Sequence, residues 1–268
     1  FRISAVPRDW SDSDLRAALQ AIDGSLSDQD YELSLYPTCC DLDQTALLNF
    51  RTFTEYFLDF DGKETRYERI PKTARRAEVD LVIDCHFDDL TPLNVPSDNI
   101  IADVVAVTGL AGHAFDSWRS RKTRRMWLTD FLPLDVKNIR IMTYGYDSSL
   151  GTRESSMKMV DYRSHFIQQL KNSRGDAKDR PIIFIGHSLG GILILQVHPY
   201  GSTGILTFVD LGQQEWLESI CHPPGSKYSC SSDRIYATSR HWPIPIAILF
   251  TGLSWTQLKG HSFSERHT

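Results

Sequence analysis

Pro181-Ile182-Ile183-Phe184-Ile185-Gly186-His187-Ser188-Leu189-Gly190-Gly191-Ile192-Leu193-Ile194-Leu195 decides the reading of this chain. An apolar run, a G-x-S-x-G turn and a second apolar run predict a strand, a sharp turn and a helix: the pattern of a nucleophile elbow. Glycine is required at Gly186 and Gly190 because a side chain there would meet neighbouring backbone. The turn pushes Ser188 out of the fold, over the first turn of the new helix. The Leu189 N–H then points to where the oxyanion of a tetrahedral intermediate would form.

A second stretch lies upstream. Ile100-Ile101-Ala102-Asp103-Val104-Val105-Ala106-Val107 predicts a buried strand, and Thr108-Gly109-Leu110-Ala111-Gly112-His113 a glycine-rich loop after it. In α/β-hydrolases the other oxyanion donor comes from the loop after an early strand. By itself the loop reads equally well as an ordinary strand-to-helix turn. With the elbow, it predicts an α/β-hydrolase fold with a mostly parallel sheet, and Leu110 and Leu189 as the oxyanion amides. Further helices are expected over Ala114–Thr123 and Ser155–Asn172, and a strand over Asn138–Tyr144. Alternation of strands and helices implies a parallel sheet. After Val197, Pro199 and Gly201 interrupt the helix, and the pattern is irregular from about residue 198. Strands are still expected at Ile205–Val209 and Ile244–Phe250.

The first part of the chain reads differently. Strands at Phe1–Val6, Tyr31–Tyr36, Thr45–Phe50 and Val79–Phe87, with helices after Ser11 and over Phe53–Phe60, give the order βαββαβ of a small α+β, ferredoxin-like domain. Thr91-Pro92-Leu93-Asn94-Val95-Pro96-Ser97 reads as the linker. The expected domains are therefore 1–97 and 98–268.

The 268 residues allow one large domain or two small ones. With 41% hydrophobic and 24% charged residues the composition is that of a globular protein. A net charge of −5 argues against nucleic acid as a partner. So does the third strand, which lacks the aromatic and basic run that stacks bases. No apolar run approaches the roughly 18 residues of a membrane-spanning helix, and no signal peptide is visible. The start at Phe1 rather than Met reads as a piece of a longer protein. The cysteines, Cys39, Cys40, Cys85, Cys221 and Cys230, are odd in number, and the adjacent pair is poorly placed to bond to itself. They suit a reducing, intracellular setting, and their spacing does not suggest zinc.

The run Val107-Thr108-Gly109-Leu110-Ala111-Gly112-His113, with Trp127-Leu128-Thr129-Asp130-Phe131-Leu132-Pro133, Arg140-Ile141-Met142-Thr143-Tyr144-Gly145-Tyr146-Asp147 and the elbow, resembles the serine-active-site-containing, serine-esterase family of α/β-hydrolases, its fungal members most of all. The resemblance covers roughly residues 98 to 197. It implies a lipase-like or esterase-like enzyme with an ester or lipid-like substrate, peripheral membrane contact, and a mitochondrial or endoplasmic-reticulum location as alternatives to the cytoplasm. Two features depart from it. Thr108 stands where many relatives have His, although the donor needed there is a backbone N–H. The family's strand leading into Gly-Thr-Pro-His is at best distorted in Gly204-Ile205-Leu206-Thr207-Phe208-Val209-Asp210-Leu211-Gly212.

A serine hydroxyl needs a histidine to take its proton and a carboxylate to hold that histidine. In this fold both follow the serine in sequence. Asp210, at the end of an expected strand, is the first choice of acid and Asp233 the second. Asp210 reads equally well as a loop carboxylate or helix cap. His261 is the first choice of base, with His241, His222 and His198 as competitors. His187 and His113 are read as supports of the elbow and the loop. No metal or organic cofactor is required. Arg119, Arg121, Lys122, Arg124 and Arg125 read as a solvated face, or as a contact for anionic headgroups. Three functions follow: an ester or thioester hydrolase acting through an acyl-enzyme on Ser188; a catalytically impaired hydrolase-like domain acting as a sensor or scaffold; and a binding module in the first domain. No feature sets an oligomeric state.

Overall fold

Alternating apolar side chains and a capped helix build the first layer. In a computed structural model, residues 1–40, 42–62, 64–72, 77–109, 111–147, 159–175, 177 and 180–197 are described, with the backbone of strands at 205–208, 234–236 and 247–249. Strands β1 (Arg2–Val6), β2 (Tyr31–Pro37), β3 (Gln44–Phe50), β4 (Thr65–Ile70) and β5 (Val79–Asp84) form one antiparallel sheet in the order β2-β3-β1-β5-β4. Helix α1 (Asp12–Ile22) starts at a capping box, in which Ser11 and Asp14 each satisfy the other's backbone N–H. It buries Leu15, Ala18 and Leu19 among Ile3, Val6, Leu81 and Ile83. Helix α2 (Glu55–Leu58) is a single turn.

The strand β4 adds to the expected βαββαβ order. Its sequence, Thr65-Arg66-Tyr67-Glu68-Arg69-Ile70, has no apolar face, and Tyr67 is exposed. Pairing with β5 and the cross-strand ion pair Arg69–Asp80 hold it at the sheet edge.

The second sheet is mixed. Strands β6 (Asp89–Pro92), β7 (Ala102–Val107), β8 (Ile139–Gly145), β9 (Ile182–Gly186) and β10 (Ile205–Phe208) lie in the order β10-β9-β7-β8-β6. The pairs β10·β9, β9·β7 and β7·β8 are parallel, and β6 runs antiparallel to β8. Strands β11 (Arg234–Tyr236) and β12 (Ala247–Leu249) pair with each other. The stretch expected as a linker is thus partly a strand of this sheet. Pro92 is tolerated there because β6 is an edge. Leu93 is buried, and Asn94 bonds the backbone of Ile139 and Ile141 through its side chain.

Every residue of β7 is buried because both faces of the sheet are covered. Val105 and Val107 face α5 (Met159–Arg174) and α6 (Leu189–Val197), packing with Phe166, Leu170, Leu193 and Ile194. Val104 and Ala106 face the other way, into a core shared with Trp118, Met126, Leu128 and, from the first sheet, Leu47. Arg2 of β1 also joins the layers. It pairs with buried Asp84 and donates to the Asp88 carbonyl and to the Thr91 hydroxyl.

The helix expected over Ala114–Thr123 is absent. A three-residue 3-10 turn, Asp116–Trp118, is followed by a bridge between Arg119 and Met126 that closes the basic run into a hairpin-like loop. Arg124 takes a positive φ of 57°, which no helix accommodates. Two one-turn helices follow, α3 (Trp127–Asp130) and α4 (Leu132–Asp135). Among the described residues no helix is long and apolar enough to cross a membrane.

Candidate functional site

Strand β9 delivers the chain to Gly186, and α6 begins at Leu189. Two residues make the reversal. His187 donates its N–H to the Val107 carbonyl at 3.1 Å, so the turn is pinned to the end of β7. Ser188 has φ of +53°. A left-handed backbone costs a non-glycine residue about 1–2 kcal/mol, and such strain collects at functional positions. The helix then closes through Gly190 N–H to the His187 carbonyl and Gly191 N–H to the Ser188 carbonyl, both at 3.0 Å. Ser188 itself is exposed.

The spacing of the glycines has a steric cause. A Cβ on Gly190 would lie 2.3 Å from the Val107 carbonyl oxygen and 2.5 Å from that of Thr108. On Gly186 it would lie 2.7 Å from the Gly191 Cα. Both contacts are with backbone, so neither can be relieved by a side-chain rotation.

The loop after β7 rests on the elbow. A Cβ on Gly109 would come within 2.7 Å of the Ser188 Cβ and 2.8 Å of the His187 carbonyl. Gly109 therefore packs directly against the elbow. Leu189 supplies the first amide of α6, and its N–H has no partner among the described residues, as is usual for a first helical turn. That leaves it available to a developing negative charge.

Several groups fix the loop. Tyr146 donates its hydroxyl to the Thr108 carbonyl at 3.0 Å, in the interior. Burial pushes that phenol up to about 12, with Tyr162 adding to the shift, so it stays a donor at every ordinary pH. Thr108 Oγ1 donates to Ser117 Oγ at 2.8 Å, and Ser117 Oγ accepts the His113 N–H at 3.1 Å. Gly112 N–H closes the turn onto the Gly109 carbonyl. His113 Nδ1 accepts from the N–H groups of Phe115 and Asp116, both at 3.1 Å. Its Nε2 is then the protonated nitrogen and donates to the Cys85 carbonyl at 2.7 Å. The residue just past β5 thereby holds one end of the loop.

The structure brings together Gly186, His187, Ser188, Leu189, Gly190 and the Thr108–Gly109 end of the loop. Leu110, Asp210, Asp233, His198, His222, His241 and His261 lie outside the described residues. His187 Nδ1 is buried without a hydrogen-bond partner among the described residues. Sequence reasoning did not find Tyr146, Ser117 or the Cys85 carbonyl. Only the position of Tyr146, just past the end of β8, hinted at a role beside the loop. Among the described residues no group of three or more His, Cys, Asp or Glu side chains is placed to hold a metal ion.

No family model matches the chain. It is similar to Protein SERAC1 of Mus musculus, 31% identical over 117 residues, which is 37% of this chain and 18% of that protein. Protein SERAC1 of Homo sapiens is 29% identical over 133 residues, 42% of this chain and 20% of that protein. The Danio rerio protein is 30% identical over 115 residues, 35% of this chain and 18% of that protein. The shared stretch therefore spans a fifth or less of these relatives.

Proposed function

We propose that the chain carries a serine-hydrolase domain of the α/β-hydrolase class that cleaves a carboxylic ester or thioester. The observation that carries this reading is the left-handed Ser188 between a parallel strand and a helix, beside a loop held at contact distance. In a sheet whose strand β6 is antiparallel and whose remaining neighbours are parallel, that turn follows the third strand of the parallel set. This order supports the fold reading. The partial likeness to Protein SERAC1 supports common descent over the matched stretch.

In the proposed reaction the Ser188 oxygen adds to the substrate carbonyl as a histidine, His261 by sequence order, takes the hydroxyl proton. The carbonyl oxygen becomes an oxyanion facing the amides of Leu189 and Leu110. Collapse breaks the bond to the alcohol or thiol, which leaves with the proton from the histidine. Water repeats the sequence and releases the acid. Asp210 orients the histidine. No metal or organic cofactor enters. Within the family resemblance, the substrate is lipid-like and the domain works at the surface of an organellar membrane.

A fluorophosphonate probe tests the proposal, because it reacts with a serine activated by a working base and oxyanion hole. Labelling of the full chain that disappears in Ser188→Ala is expected. A folded chain that does not label would refute the hydrolase and favour a sensor or scaffold built on the same elbow.

A further inference from the structure

At the opposite end of the second sheet from Ser188, the N-terminal ends of β7, β8 and β9 converge on one carboxylate. Asp103 is fully buried. Three guanidinium groups pair with it: Arg140 at 2.9 Å, Arg180 at 3.1 Å and Arg174 at 3.3 Å. All three are mostly buried, with side chains 12%, 21% and 14% exposed for Arg140, Arg180 and Arg174. Among the described residues, three guanidinium groups thus share one carboxylate.

The three arginines line an open cavity of about 370 Å³ between the first sheet's β2–β3 connection and the end of α5. No acidic side chain lines it among the described residues. Backbone carbonyls take up part of the donor capacity. Arg140 donates to the carbonyls of Cys39 and Ser173, and Arg174 to those of Ala177 and Arg180. The C-terminal end of α5 adds roughly half a negative charge through its peptide dipoles. Burial holds the Arg174 guanidinium below the ordinary range, and Arg140 and Arg180 push it the same way against Asp103. Among the described residues the Arg180 side chain donates one hydrogen bond, to Asp103, and the rest of its planar fork faces no acceptor there.

From this geometry we infer that the Arg140–Arg174–Arg180 cavity binds the phosphate group of an organic phosphate monoester. A phosphate monoester offers up to two negative charges and several acceptor oxygens to a cluster that, among the described residues, holds more guanidinium than carboxylate. Guanidinium forks suit phosphate oxygens in paired hydrogen bonds. The cavity is larger than a phosphate alone and falls within the range of small-molecule sites, roughly 300–1,000 Å³. Pro37, Pro92 and Ile100 line the remainder and suit an apolar or neutral body. Such a monoester can be a free metabolite or a lipid headgroup, since the cavity is open to solvent. The site is independent of Ser188: at about 3.3 Å per residue, the five residues of β9 place it about 15 Å or more from the elbow.

Calorimetric titration of the full chain with inorganic phosphate, against chloride at matched ionic strength, tests the soluble source. Co-sedimentation with phosphatidylcholine vesicles, with and without phosphatidic acid, tests the lipid source. Exposed Cys40 lines the same cavity, so its alkylation, followed by peptide mass spectrometry, reports occupancy without any substitution. Saturable binding to either probe that slows Cys40 alkylation is expected, weakened about tenfold or more in Arg180→Gln. The probe that binds identifies the source. The inference is overturned if neither probe saturates, if saturation leaves Cys40 equally reactive, or if a folded Arg180→Gln chain binds as tightly as the parent. If that variant does not fold, Cys40 protection in the parent chain decides.

Discussion

Replacing Gly109 by alanine places a methyl group where the loop meets Ser188. The added Cβ would sit 2.7 Å from the Ser188 Cβ and 2.8 Å from the His187 carbonyl oxygen. Non-bonded carbons rest at about 3.5–4.0 Å, so the loop and the elbow must separate by roughly 1 Å. The elbow is pinned to β7 through His187 N–H and cannot yield easily. The loop is the part that moves, strained against its bonds to Tyr146 and Ser117. A displacement of about 1 Å at a reacting centre costs about 100-fold in rate, and overpacking costs about 1–3 kcal/mol of stability. For a chain of this length the latter lowers Tm by roughly 2–4 °C per kcal/mol. The assay is the rate constant of fluorophosphonate labelling, alongside a thermal melt. Gly24→Ala is the control, since a Cβ there meets nothing within 4 Å. A Gly109→Ala chain that labels within a few-fold of the parent at unchanged Tm would show that the loop does not press on the elbow.

Three further outcomes are expected. Ser188→Gly should abolish labelling yet raise stability by up to about 1 kcal/mol, because relief of the left-handed strain exceeds the entropy glycine adds to the unfolded chain; a lower Tm would contradict the strain. Asp103→Ala should cost about 3–5 kcal/mol, since three buried guanidiniums lose their carboxylate, and chemical denaturation showing a loss below 1 kcal/mol would remove the carboxylate from its central place. His86 sits above its ordinary value of 6.5, first because its ring bonds the Asp88 carboxylate and further because Asp84 is near, against burial. Its raised folded value means the stability it adds is complete below pH 6.5 and fades as pH climbs through the folded value. Melts of the parent and His86→Gln should therefore converge above that range, and parallel curves would exclude the effect.

The elbow was legible because its demands are local. A strand that must end, a serine forced out and glycines facing backbone leave a mark within a few residues. Strand β7 was legible for a related reason: burial on both faces leaves an apolar run that only Asp103 interrupts. The loop over residues 114–123 was not. Phe115, Trp118 and Met126 all enter one core, but from a 3-10 turn and a bridge rather than from a helix face. Apolar spacing cannot distinguish the two when the segment is short. Strand β6 was hidden because Pro92, with Pro96 beyond it, reads as linker, and only pairing with β8 reveals it. Strand β4 was hidden because an edge strand with charges on both sides has no hydrophobic period. The Asp103 cluster assembles residues 103, 140, 174 and 180, and no window of sequence shows that they meet. The turn that presents the Leu189 N–H could be read from sequence, whereas the bonds from Tyr146 and Ser117 that steady the loop after β7 are tertiary.

The bond from His113 to the Cys85 carbonyl, with Arg2 reaching Asp88 and Thr91 and Leu47 packed beside Val104, carries a consequence for how such chains can be rearranged. The two sheets are not interchangeable modules. Grafting the elbow-bearing half onto another partner would strip a polar anchor from the loop after β7 and open a face of the sheet to water. Recombination that preserves both halves must inherit them as one unit.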